Sequence, residues 1–172
     1  MKKVILVGYM AVGKTTIAQL LSEKTGVKYV DLDNLIEEKT NLTISELFKQ
    51  KGEIYFRRIE HEIFKEITEN GENLIISTGG GTPCYADNHL LLNGKNNISI
   101  YLNASLPVIL ERLISEKKTR PLVASQSEEE LKEFVSKHLF ERSYFYNQAT
   151  FKVNIDNKTP DSIVQEILQF LD

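Results

Sequence analysis

Gly8-Tyr9-Met10-Ala11-Val12-Gly13-Lys14-Thr15 matches the spacing G-x-x-x-x-G-K-[ST], and each fixed residue type in it has a task toward a polyphosphate. The glycines let the chain wrap closely enough for successive backbone N–H groups to point at phosphate oxygens. Lys14 adds a point charge toward the β and γ positions, and the Thr15 hydroxyl is a ligand for Mg²⁺. The helix expected to begin near Lys14 turns its positive N-terminal dipole toward the same anion. The alternative is a glycine-containing turn that merely joins a strand to a helix. Against it, the apolar run Val4 to Val7, the loop, the Lys-Thr pair and a helical pattern follow one another in the order phosphate binding requires. A nucleoside triphosphate is the expected ligand.

A phosphate cradle does not name a reaction, because acids must still serve the metal and the nucleophile. The run Leu74 to Ser77 ends without one and passes into Thr78-Gly79-Gly80-Gly81, whereas Tyr29 to Leu32 leads into an i, i+2 pair, Asp31 and Asp33. In an extended strand such a pair lies on one face, so both carboxylates should project beyond the carboxyl edge of the sheet, where open α/β folds bind ligands. Asp31 would hold Mg²⁺ through its water shell and Asp33 would accept a hydrogen bond from an attacking hydroxyl. The competing explanation is that the two acids cap the helix beginning near Asn34. Gly79 to Gly81 would admit a substrate close to the backbone, although a tight turn before Pro83 explains the triplet almost as well.

Arginines are the remaining anion-binding side chains. Arg57 and Arg58 lie in a helix after Gly52 whose buried stripe is Phe56, Ile59, Ile63 and Ile67. Periodicity does not choose between them. Arg58 has an i, i+4 partner in Glu62, and Arg57 is one turn from Glu60 and His61, so each has a surface explanation. Arg142 sits in Arg142-Ser143-Tyr144-Phe145-Tyr146, where a surface ion pair and an anion clamp are equally compatible with its neighbours. His61, His89 and His138 lack ligand spacing and receive no metal or catalytic role. The single cysteine, Cys84, excludes an intramolecular disulfide or a Cys-based metal site and is read as structural.

These side chains must be held by elements that alternate along the chain. Strand-like runs at Val4 to Val7, Tyr29 to Leu32, Leu74 to Ser77, Ile98 to Leu102 and Phe151 to Ile155 are separated by helical patterns, which predicts repeated βα units around a parallel sheet. Thr43 with Glu46 and Ser127 with Glu130 have capping-box spacing, and Thr159-Pro160 pairs an N-cap with proline at the first helical position. Gly26 and Gly71 read as helix stops. Lys117 to Ser127 is polar and aperiodic, and with Arg120 inside it is a lid candidate rather than an ordinary solvated loop.

With 172 residues, 41% of them hydrophobic, one domain with a real core is expected. A formal charge of −3 offers no broad basic surface for nucleic acid or anionic lipid, so any anion site is local. The first strand reaches the phosphate loop by Gly8, and no apolar stretch approaches the roughly 20 residues a bilayer span needs. A soluble intracellular protein is expected.

Taken together, the residues resemble the shikimate kinases along the whole chain. The similar features are G-x-M-x-x-G-K-T at Gly8 to Thr15, D-x-D at Asp31 and Asp33, G-E-x-x-F-R-x-x-E from Gly52 to Glu60, G-G-G at Gly79 to Gly81, R-P-L at Arg120 to Leu122, and the pair Arg142 and Tyr146. The resemblance implies one kinase domain over residues 1–172 with the nucleoside-monophosphate-kinase-like fold. That fold is a three-layer α/β/α arrangement on a five-stranded parallel sheet in the order 2-3-1-4-5, with an acceptor-binding region at about 33–61 and a mobile lid at about 115–127. It implies transfer of the ATP γ-phosphoryl to the 3-hydroxyl of shikimate in aromatic amino-acid biosynthesis, in the cytoplasm, by a monomer.

The resemblance also assigns residues. ATP would be held by Gly8, Ala11, Val12, Gly13, Lys14, Thr15, Thr16, Arg120 and Lys158, and Mg²⁺ by Thr15 with Asp31 through water. Shikimate would be held by Asp33, Arg57, Gly79, Gly80 and Arg142, with Arg57 preferred to Arg58 by the Phe-Arg of the motif. Asp33, Lys14 and Arg120 would act in catalysis, the last on closure of the lid. Ala11 stands where this family usually has a glycine and Tyr144 where it usually has a proline. Two other functions fit parts of the pattern: another small P-loop kinase, for gluconate or a nucleoside monophosphate, or a nucleotide-binding regulatory protein without transfer activity. The joint presence of Lys14, Asp33, Arg57, Arg120 and Arg142 speaks against the second.

Overall fold

The first strand is buried at all of its positions, Lys3–Val7, and a strand covered on both faces belongs in the middle of a parallel sheet. There it lies, in a computed structural model that describes residues 3–116 and 126–171. Five parallel strands, β1 (Lys3–Val7), β2 (Tyr29–Asp31), β3 (Ile75–Ser77), β4 (Asn97–Asn103) and β5 (Phe151–Asn154), run in the order β2-β3-β1-β4-β5, as the resemblance implied. Register brings Ser77 of β3 level with both Leu6 and Asp31, so three strands end together. The strand ends differ from the sequence expectation by a residue or so: Leu32, Leu74 and Ile155 lie outside, and Lys3, Asn97 and Asn103 inside.

Helices α1 (Lys14–Thr25), α2 (Leu32–Thr40), α3 (Ile44–Lys51), α4 (Glu53–Glu69), α5 (Leu106–Ser115), α6 (Glu128–Tyr146) and α7 (Pro160–Leu171) make the outer layers of a three-layer α/β/α fold. Their ends follow local chemistry. Both expected capping boxes form, Thr43 with Glu46 before α3 and Ser127 with Glu130 before α6, each satisfying two orphan N–H groups. Gly26 closes α1 in a left-handed conformation. At α4 the stop comes one residue before Gly71: Asn70 is the cap, and its N–H donates to Glu66 O. Pro160 opens α7, with Thr159 accepting from Ser162 N at 3.2 Å. Stacking of Phe151 on Phe170, 4.4 Å between centroids, fastens α7 to β5.

The core runs through the sheet, where Ile5, Leu6, Val7, Ile76, Ile100 and Leu102 are fully or almost fully covered. From α4, Phe56, Ile59 and Ile63 are buried and Ile67 half-buried, the stripe read from the sequence. The cluster α2, α3 and α4 packs on itself beside the open end of β2 and β3 and brings the acceptor-side residues toward the strand ends. Among the described residues no helix is long and apolar enough to cross a membrane.

At the junction of β1 and the phosphate loop the backbone passes close under β4. Gly8 has φ 151°, and a Cβ there would stand 2.7 Å from Leu102 O. Gly8→Ala should therefore cost about 1–3 kcal/mol, the scale of a strained backbone residue, and lower the urea midpoint without changing the slope. An unchanged midpoint would show that the loop can rise off β4.

Candidate active site

Where β1, β2 and β3 end, a cleft of about 510 Å³ opens, lined by the phosphate loop, Asp31, Asp33, Gly79 and Gly80. Lys14 is 9% exposed and folds back over its own loop, donating to Gly8 O at 2.8 Å and Tyr9 O at 2.9 Å. Gly13 precedes α1 in the left-handed region, φ 94°, and Ala11 shares that region, φ 66°. A side chain there costs about 1–2 kcal/mol, which gives a physical reason for the glycine usual at this position. Arg112, on α5, donates from Nη1 to Ala11 O at 3.1 Å and so pins the strained peptide. The sequence reading gave no signal for it, since Arg112 belongs to none of the motifs. Of the other loop residues, Thr16 lines the cleft and Val12 is buried beneath it.

The acid pair lies differently from the strand geometry expected of it. β2 ends at Asp31, and Asp33 is already in the first turn of α2. The turn forms because Asp31 caps it: Oδ1 accepts from Asp33 N at 3.0 Å and Asn34 N at 3.3 Å. Its other oxygen, Oδ2, accepts from Thr15 Oγ1 at 2.7 Å, and Thr15 Oγ1 lies 3.1 Å from Ser77 Oγ. One carboxylate thus caps the helix with one oxygen and meets the phosphate-loop threonine with the other. Thr15, Asp31 and Ser77 form an all-oxygen group of the kind a hard cation takes. Among the described residues no cluster of three or more His, Cys, Asp or Glu stands ready to chelate a metal.

Asp33 is pushed up to about 6 from 3.8, first by burial and then by the neighbouring charges of Asp31, Glu60 and Glu37, with Lys14 pulling the other way. A Cβ on Gly79 would stand 3.1 Å from Thr82 Oγ1 and in ordinary contact with Asp33 Oδ1 and Glu60 Oε2, at 3.4 and 3.5 Å, so both acids face the backbone there. Glu60, read as a surface partner of Arg57, is 1% exposed. It accepts from Arg57 Nη1 at 2.9 Å and from Thr82 Oγ1 at 2.9 Å, tying α4 to the turn after the triple glycine. The i, i+3 spacing was visible in the sequence; its burial was not.

Arg57 and Arg58 separate cleanly. Arg58 is exposed and lies over Tyr55, 5.0 Å from the ring centroid. The Arg57 side chain is 16% exposed, and a Cβ on Gly81 would meet its Nη2 at 2.7 Å. Arg142 arrives from α6, with Nη1 3.3 Å from where a Cβ of Gly80 would be. Its guanidinium lies 5.7 Å from the Tyr9 ring centroid, and the neighbouring Tyr146 hydroxyl donates to Gly80 O at 2.5 Å. Burial pushes the Tyr146 hydroxyl well above its usual value, which keeps it a donor. Both arginines and the triple glycine therefore converge.

Other residues fall outside this group. His138 bonds the Tyr9 hydroxyl at 3.1 Å, His61 bonds Asn88 Oδ1 at 2.7 Å, and His89 packs edge-on against Phe145. Cys84 is half-buried and its thiol is pushed up to about 11 by burial, so it stays protonated. Lys158 pairs with Glu166 at 2.5 Å and is not brought to the lining of the cleft. Arg120 and most of the lid candidate lie outside the described residues.

The family model for shikimate kinase matches residues 10–172. The shikimate kinase of Flavobacterium johnsoniae is 54% identical over 171 residues, covering 99% of each chain. In the crystal structure of the shikimate kinase from Bacteroides thetaiotaomicron the same fold superposes with a TM-score of 0.90 at 36% identity, covering 99% of this chain and 98% of that one. The shikimate kinase from Acinetobacter baumannii in complex with shikimate gives 0.87 at 30% identity, covering 99% and 93%.

Asp33 also has a consequence for stability. Its folded pKa, about 6, is above the unfolded value, so the charged carboxylate opposes folding above pH 6 and the penalty vanishes as pH falls toward 4. Asp33→Asn should be more stable at pH 7.5, by up to about 3 kcal/mol at 1.36 kcal/mol per unit, with the gain closing by pH 4. Chemical denaturation at the two pH values measures this; a gain that does not shrink on acidification would assign it to another cause.

Proposed function

The chain belongs to the shikimate kinase family, and on that footing we propose how its cleft moves the γ-phosphoryl of ATP to the 3-hydroxyl of shikimate, giving shikimate 3-phosphate and ADP. It is an ATP-dependent phosphotransferase of the shikimate pathway. The observation that carries the proposal is that the phosphate loop with Lys14 shares one cleft with Asp33, Gly79 and Gly80, while Arg142 and Arg57 stand against the backbone of Gly80 and Gly81 at its margin.

In this proposal Gly8, Ala11, Val12, Gly13, Thr15 and Thr16 wrap the ATP phosphates with their backbone, and Lys14 exchanges its carbonyl partners for β- and γ-phosphate oxygens. Arg112 keeps the loop in its binding conformation. Thr15 and Asp31 would hold Mg²⁺, Asp31 through water; their shared hydrogen bond and all-oxygen surroundings suit that ion. When bound, Mg²⁺ neutralises charge on the β- and γ-phosphates.

Arg57 and Arg142 take the acceptor carboxylate, a task for which the guanidinium fork is shaped, while Gly79 and Gly80 present backbone to the ring. Asp33 orients the 3-hydroxyl and accepts its proton. With its pKa near 6 it is ionised at neutral pH yet basic enough to take a proton. The hydroxyl oxygen bonds to the γ-phosphorus as the bond to the β,γ-bridging oxygen breaks, and the electron pair leaves with ADP. Arg120 is assigned to the phosphates within a lid at 115–127, and Lys158 to the nucleotide edge, by motif position alone. A cytoplasmic monomer that binds neither nucleic acid nor membrane completes the proposal.

A coupled assay of ADP release with ATP, Mg²⁺ and a panel of shikimate, gluconate and nucleoside monophosphates tests the acceptor: shikimate alone should stimulate turnover. Asp33→Asn should lower kcat by about 10²- to 10⁴-fold, the range for losing a positioned base, with ATP binding little changed. A fall in ATP affinity alone would make Asp33 a metal-side residue. Arg57→Lys keeps charge but loses the fork, so the acceptor KM should rise by the equivalent of about 1.5–3 kcal/mol while the ATP KM holds. A silent Arg57→Lys beside an impaired Arg58→Lys would move the clamp one position.

A further inference from the structure

Tyr85 belongs to none of the motifs above, yet its ring lies directly on the guanidinium of Arg57, with Cζ 3.9 Å from the centroid. The Phe56 ring lies farther off, 5.0 Å from Cζ, and the polar contacts of the guanidinium are at its edges: Nη1 to Glu60 at 2.9 Å, Nε 3.6 Å from Glu53 Oε1, and the bare backbone of Gly81 against the Nη atoms. The edge contacts fix the group in its own plane, and a ring on its face stops the plane from tilting. Tilting has somewhere to go, because Arg57 and Tyr85 both line a second hollow of about 570 Å³ outside the cleft.

The turn that presents the ring is strained and braced. Ala86 and Asp87 follow with φ 50° and 56°, two consecutive left-handed residues, neither a glycine. Conformations of this cost persist where their surroundings over-determine them. Here the brace is Asn88, fully buried, whose N–H donates to Tyr85 O at 3.0 Å and whose Nδ2 donates to Thr82 O at 2.9 Å. Its Oδ1 meets His61 Nδ1 at 2.7 Å, and His61 is one turn beyond Arg57 on α4. The helix that carries the arginine thus grips the turn that carries the ring.

We propose that Tyr85 is a positioning residue for the acceptor: its ring, held in place by the strained turn, keeps the Arg57 fork aimed at the acceptor carboxylate. The inference rests on the assignment of Arg57 to that carboxylate. A stacked cation–aromatic contact of this kind corresponds to about a 3- to 30-fold effect on binding. Tyr85→Leu should therefore raise the acceptor KM by that factor, leaving kcat and the ATP KM within about two-fold, and Tyr85→Phe, which keeps the ring, should restore the acceptor KM.

Arg57→Gln separates the two ideas. If Arg57→Gln raises the acceptor KM and Tyr85→Leu does not, Tyr85 has no positioning role while the clamp stands. If Arg57→Gln is itself silent, the clamp fails and the proposal with it. In the double variant the Tyr85→Leu effect should disappear; an effect as large as in the native protein would show that the ring acts by another route and overturn the proposal. Loss of kcat and both KM values together in Tyr85→Leu, unrelieved in Tyr85→Phe, would likewise overturn it in favour of a general structural role.

Discussion

The register of β1 against its neighbours is the constraint on which the site depends. Leu6, Ser77 and Asp31 stand side by side across β1, β3 and β2, so the phosphate loop, the triple glycine and the acid pair all leave the sheet at one level. Thr78 reinforces the alignment by donating from both its N–H and its hydroxyl to Leu6 O. A one-residue slip would turn every side chain of a strand over, and β1 is covered on both faces, so the slip would disturb the core on both sides at once. Burial of one apolar strand is thereby converted into the placement of charged groups that are remote from one another in sequence.

Those charges do not favour the empty cleft. Asp33 and Glu60 share a shielded space with Asp31 nearby, and Ala11 occupies a backbone region that alanine resists. The fold tolerates both because neighbours are fixed around them: Glu60 is bound by Arg57 and Thr82, and the Ala11 carbonyl by Arg112. Stability lost locally in this way is the ordinary condition of a site prepared for a ligand of opposite charge distribution.

Much of this was legible in the sequence where the signal is local. The phosphate loop has a fixed spacing, the capping boxes are i, i+3 patterns, and the βα alternation shows as apolar runs between helical periods. What was not legible depended on tertiary burial. The Asp31–Asp33 pair looked like one strand face with helix capping as its rival, because the sequence does not say that the helix starts at Leu32 and so parts the two acids. By periodicity Arg57 and Arg58 were equivalent, and only the family motif preferred Arg57; Glu60 looked like any surface acid one turn away. Arg112 belonged to no motif, and its partner is a backbone carbonyl some hundred positions earlier. Lys158, which the resemblance assigns to ATP, pairs with Glu166.

Asp31 spends one oxygen on Thr15 and the other on the amides of Asp33 and Asn34. The same carboxylate therefore holds the threonine of the phosphate loop and caps the first turn of α2, which carries Asp33. Nucleotide side and acceptor side are in this sense hung on a common pivot. A substitution at position 31 therefore acts on the phosphate loop and on the setting of Asp33 at once.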